Sequence, residues 1–196
     1  MRPRADVSAR WRTAAMARWM AAPLLALVAV GAAHGSEGQR QAGAHVHGEG
    51  RLDVAIAGGL ARVALTAPGS DVVGFEHAPH TDTERAAVAA ARARLAATAT
   101  LFDFGPAACT VTGTELALPD AAGGPFAVTD HGGHGDVHAV YDFACAEPER
   151  LERLTLGLFD AFPSLRVLHV QVATERGQGW VRAGPTAAAV DLRSPE

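Results

Sequence analysis

The run RLDVAIAGGLARVALTA, residues 51–67, alternates apolar and polar side chains on both sides of Gly58-Gly59. Period-two alternation puts neighbouring side chains on opposite faces of a strand, and a glycine pair accepts the positive φ of a tight turn. The run therefore predicts a two-residue β-hairpin. Its register sets Leu52 opposite Leu65, Val54 opposite Val63 and Ile56 opposite Ala61 on one face, with Arg51, Asp53, Arg62 and Thr66 on the other. Extended backwards, the first strand carries His45, His47 and Glu49 on the same polar face. One apolar face needs a cover, so the rest of the chain has to supply helices or a second layer.

After the Pro68-Gly69 turn comes VVGFEHAPHTDTERAAV, where Glu76 and His77 read as the end of a strand and His80 as the entry to a helical turn. Thr81 and Glu84 have capping-box spacing, and Asp82 adds negative charge to the first turn. They predict a helix over about 82–101, with Val88, Ala91, Leu95 and Phe102 along its apolar stripe. Strands are expected at Cys109–Leu118 and Asp136–Cys145, paired so that Cys109 faces Cys145 and Leu118 faces Asp136. The connection between them is long for a hairpin. Pro148 opens a second expected helix, with Leu151, Leu154, Leu158 and Phe162 as its stripe and Pro163 as its stop. A strand over SLRVLHVQVAT, a Gly177-Gln-Gly179 turn and a final strand near 187–192 complete the pattern. The order β-β-α-β-β-α-β-β describes an α+β domain over residues 51–193, a largely antiparallel sheet with two packed helices.

Upstream, five arginines (Arg2, Arg4, Arg10, Arg12 and Arg18) precede the apolar run WMAAPLLALVAVGAA. That run is short for a membrane span and ends in small residues, which fits a secretory signal peptide over 1–33 with cleavage after Ala33 or Gly35. Residues 34–50, polar and glycine-rich, read as a flexible histidine-containing arm. The mature protein is then expected to be exported and soluble, with the periplasm as the compartment that suits it best. Export into an oxidising compartment allows Cys109 and Cys145 to form a disulfide, two buried free thiols being the alternative.

The nine histidines are unevenly spread. His131, His134 and His138 fall in TDHGGHGDVHA, within a loop and its exit at 119–138, among glycines that let imidazoles converge. Asp130 and Asp136 flank them as oxygen donors or as partners that orient the rings. His45 and His47 form a pair in the arm, and Glu76, His77 and His80 form a third group in GFEHAPHT. His169 lies in mid-strand and reads as a structural histidine. Zinc, which takes four nitrogen, sulfur or oxygen donors, is the ion these residues suit. The alternatives are a solvated loop, an unstructured arm and, in GFEHAPHT, histidines that bond the helix start. Imidazole binds metal only when neutral, so affinity is expected to fall as pH drops through about 6.5, the unperturbed value.

Several activities find no support. HExxH, GxSxG, P-loop and dinucleotide-binding patterns are absent from the sequence. A formal net charge of -4 and the lack of a basic stripe argue against nucleic acid.

AHVHGEGRLDVAIAGG, SDVVGFEHAPHTDTERAAV, YDFAC and LFDAFPSLRVLHVQV, in that order and followed by Gly177-Gln178, resemble the ZrgA-like proteins over about residues 44–192. The resemblance implies a periplasmic Zn2+-binding protein, not an enzyme, associated with an ABC-type zinc transporter. It also implies a metal site at His131, His134 and His138, with His45 and His47 as the matching amino-terminal pair. With three histidines on a short loop, one zinc site is expected. A periplasmic interaction module without a metal, and a zinc hydrolase using Glu76 beside His77, are the competing functions.

Overall fold

The computed structural model describes residues 46–118 and 135–193. The expected signal peptide, His45, Asp130, His131 and His134 lie outside the described residues.

The hairpin forms as its alternation requires. Strands β1 (Glu49–Ala57) and β2 (Leu60–Pro68) pair with Leu52 opposite Leu65, Val54 opposite Val63 and Ile56 opposite Ala61. Gly58 takes φ +58° at the turn, the left-handed region where a Cβ is strained. A single helical turn, α1 (Gly69–Val72), follows directly, so Glu76 and His77 lie in an irregular segment and not at the end of a strand. Helix α2 (Asp82–Ala96) starts at Thr81 with the full capping box, its side chain accepting from Glu84 N while the Glu84 carboxylate accepts from the Thr81 N–H. Val88, Ala91 and Leu95 are its buried residues.

Helix α2 ends earlier than expected. Ala97 leaves helical geometry, and the short helix α3 (Thr98–Leu101) leads into strand β3 (Phe102–Asp103). Two β-branched threonines, Thr98 and Thr100, weaken helix propensity after the break. A 3-10 turn at Gly105–Ala107 then reaches β4 (Cys109–Ala117), which pairs with β5 (Asp136–Cys145). Cys109 lies opposite Cys145 and the two form a disulfide. Further along, the register slips between Val111 and Gly113, so that Ala117 and not Leu116 faces His138, and Leu118 no longer matches Asp136. The extra residue is a β-bulge, which nothing in a period-two pattern announces.

The expected second helix does not form. Pro148–Arg150 is a 3-10 turn, Arg153–Leu156 is strand β6, and only Leu158–Ala161 is helical, as α4. Leu154 and Leu156 are buried while Arg153 and Thr155 are exposed, so strand alternation wins over the helical spacing of the leucines. Gly157 explains the break. Its N–H donates to Leu101 O at 2.9 Å, and a Cβ there would meet Thr100 O at 2.0 Å. Strand β7 (Val167–Thr174) is followed by a turn at Glu175-Arg176, and the expected turn at Gly177–Gly179 is instead the start of β8 (Gly177–Ala183). Strand β9 (Ala189–Asp191) closes the chain's regular structure.

Six strands form one sheet in the order β4-β5-β2-β1-β7-β8, and β3-β6-β9 form a second. The pairs of the large sheet are antiparallel except β1 with β7, which run parallel in its interior. The fold is thus richer in strand than expected, and the predicted element order is not the observed one. Leu52, Val54, Val63, Leu65, Tyr141, Leu168 and Val170 line the buried face of the large sheet, together with Val88 and Leu95 of α2 in one core. Tyr141 sits at its middle and donates its hydroxyl to Leu95 O at 3.0 Å, meeting a carbonyl in the last turn of α2. Burial pushes its phenol well above the usual range. Among the described residues no helix is long and apolar enough to cross a membrane.

Candidate metal site

Strand direction decides where the histidines gather. β1 and β7 start at the same end of the large sheet because they run parallel, and β2, antiparallel to β1, finishes there. β5 starts there too, since Asp136 pairs with Pro68, and β4 ends there, since Ala117 pairs with His138. His47 precedes β1 by two residues, His138 is the third residue of β5, and His169 is the third of β7. His77 and His80 follow β2 and α1, and their segment touches the same end through Glu76, whose Oε1 lies 3.1 Å from His47 Nε2. All five described histidines therefore belong to one end of the sheet.

Their local chemistry differs. The Gly48 N–H, in the turn that carries His47, donates to buried Asp71 Oδ2 at 2.7 Å, and Ser70 Oγ donates to Glu76 Oε1 at 2.9 Å. His169 Nε2 is 2.8 Å from Glu49 Oε2, and Arg182 reaches the other carboxylate oxygen at 3.4 Å. The bonded imidazole holds the Glu49 carboxyl below its usual range, with Arg182 adding to the effect. His77 Nδ1 is 2.8 Å from Ala78 O, and its ring stacks on His80 at 5.5 Å between centroids. The His80 main-chain N–H donates to Glu84 Oε2 at 2.7 Å, extending the helix cap. Hydrogen bonds from the Thr81 and His80 main chain hold the Glu84 carboxyl below its ordinary value.

His138 stands apart. Its Nδ1 is 3.1 Å from Thr66 Oγ1, directly across the β2–β5 ladder, and its Nε2 is buried with no hydrogen-bond partner among the described residues. It lies on the face opposite Tyr141, as strand alternation requires. Asp136, two residues earlier, is buried at 7% exposure. Glu49, Thr66, Asp136 and His169 share the lining of a hollow of about 350 Å3.

Among the described residues no three histidine, cysteine, aspartate or glutamate side chains are grouped to hold an ion. His47 and His169 have their Nε2 atoms committed to carboxylates. His138 Nε2, shielded from water and unbonded among the described residues, fits a metal ion, which needs a deprotonated ring nitrogen with a lone pair to spare. Of these residues, the sequence singled out His47, Glu76, His77, His80, Asp136 and His138. It gave no sign of Thr66 as the partner of His138, because that contact crosses between segments far apart in the chain and is set by the β2–β5 register. Nor did it show that Asp71 would hold the Gly48 N–H beside His47.

Comparison with curated proteins finds no match. Comparison with family models matches residues 44–192 to the ZrgA family of zinc uptake proteins. That span takes in the hairpin, GFEHAPHT, both cysteine-bearing strands and the β7–β8 hairpin. The family is defined by zinc uptake and not by a catalysed reaction, and the chain belongs to the ZrgA family of zinc uptake proteins.

Proposed function

We propose that the protein is a periplasmic, non-catalytic carrier that captures Zn2+ and delivers it to an uptake transporter, an ABC-type importer being the expected partner. Zinc is its cargo. The observation that carries this reading is the collection of histidines at one end of the sheet, with the buried Nε2 of His138 unbonded among the described residues. In the sequence His134 immediately precedes Gly135, and His131 lies four residues before that glycine. His131, His134 and His138 serve as three ligands, and the fourth comes from Asp136, a water molecule or an arm histidine, His45 or His47. Family membership supports the choice of metal.

Calorimetric titration of the tag-free protein with zinc tests the assignment. One equivalent of zinc bound with moderate affinity is expected for the native chain, with a loss of at least about tenfold in affinity for the His131/His134/His138→Ala variant. Equal affinity in the two proteins removes these residues from the site.

A further inference from the structure

We propose that Thr66 is a positioning residue for zinc capture: by accepting the Nδ1–H of His138, it fixes the ring in the tautomer whose Nε2 lone pair faces the metal. The inference rests on the reading of His138 as a zinc ligand. The two residues are direct cross-strand partners, and Thr66 Oγ1 lies 3.1 Å from His138 Nδ1. On the other side of His138 the paired residue is Ala117, which has no polar side-chain atom. The hydroxyl is therefore the described side-chain group bonded to the ring, and it bonds at Nδ1 alone.

Two arrangements of the proton satisfy that distance. If the threonine hydroxyl donates to Nδ1, a neutral ring carries its hydrogen on Nε2, leaving a buried N–H with no acceptor among the described residues. Orphaned buried N–H groups are rare because they cost a full desolvation penalty. If Nδ1–H donates to Oγ1, the ring hydrogen is satisfied, and Nε2 presents a lone pair instead. The hydroxyl then keeps its own hydrogen, and Thr66 is only part-buried and lines an open hollow. The second arrangement leaves no donor stranded and produces a metal-ready nitrogen. A hydrogen bond to the far nitrogen is also the usual means by which a protein fixes the orientation of a ligating imidazole.

The test uses the full mature chain and three substitutions. Ring nitrogen and carbon chemical shifts of His138 in the metal-free protein at neutral pH report the tautomer, and calorimetry with zinc chloride reports affinity. The native chain and Thr66→Ser are expected to show Nδ1–H and similar affinity. Thr66→Val, nearly equal in shape and still suited to a strand, is expected to show a mixture of tautomers and about 10- to 100-fold weaker zinc binding. Thermal unfolding of each variant separates this from loss of fold. Native protein with the hydrogen on Nε2, or Thr66→Val with unchanged tautomer and affinity, overturns the role of Thr66 while leaving His138 as a ligand. Unchanged zinc affinity in His138→Ala overturns the ligand assignment itself, and the inference with it.

Discussion

Asp71 is 8% exposed and accepts the Gly48 N–H, so one small carboxylate ties the start of β1 to the turn after β2. Burial raises its carboxyl above the ordinary value, while the Gly48 hydrogen bond and nearby His47 pull the other way. A raised value means that the folded chain holds the proton better than the unfolded chain does. Asp71 thus contributes stability that is complete below the unfolded value, near 3.8, and is lost as pH rises through the raised one. Asp71→Asn removes that dependence, so in urea denaturation its stability relative to the native chain should improve as pH rises above the unfolded value, near 3.8. Parallel profiles would mean that Asp71 does not titrate differently on folding. Asp71→Ala leaves the Gly48 N–H without its acceptor and should cost about 1–3 kcal/mol at neutral pH.

Among the elements, the Tyr141 hydroxyl on Leu95 O joins α2 to the large sheet through a polar contact. Tyr141→Phe keeps the packing and strips the donor from a buried carbonyl, which should cost about 1–3 kcal/mol in chemical denaturation with an unchanged urea dependence. No change in midpoint would show that the carbonyl finds another donor. The helix itself was legible because its start signal is local: Thr81, Asp82 and Glu84 stand within one turn. The hairpin was legible for the same reason, its turn and alternation lying in the consecutive residues 51–67. β6 was not, because Leu151, Leu154 and Leu158 fit a helix, and only the distant partners β3 and β9 and the close approach of Thr100 to Gly157 decide for a strand. β8 hid behind Gly177 and Gly179, which read as a turn while Glu175-Arg176 performs it. In the candidate site, residue types were visible, but their pairing was not: His138 with Thr66, His169 with Glu49 and His47 with Glu76 are set by strand order across the sheet.

At the scale of the whole molecule, capture of zinc by the folded chain alone should stabilise it by mass action. At free zinc about one hundred times the dissociation constant the gain is about 2.7 kcal/mol, which for a domain of this size raises the melting temperature by about 5–10 °C. Differential scanning calorimetry of the native chain and the triple histidine variant checks this, and an equal rise in both would assign the effect to zinc bound elsewhere. The parallel β1–β7 ladder bears on how this stability is reached. Glu49 meets Val167 and Val54 meets Val172, although most of the domain separates the two strands in sequence. Pairings so distant are slow to form, since a long loop must close before any contact repays it. A chain synthesised from its amino terminus can complete the β1–β2 hairpin early, yet β1 keeps an open edge until β7 exists. Premature termination before Val167 would therefore yield a species with an unpaired central strand, prone to associate with other copies through that edge and not a smaller working domain.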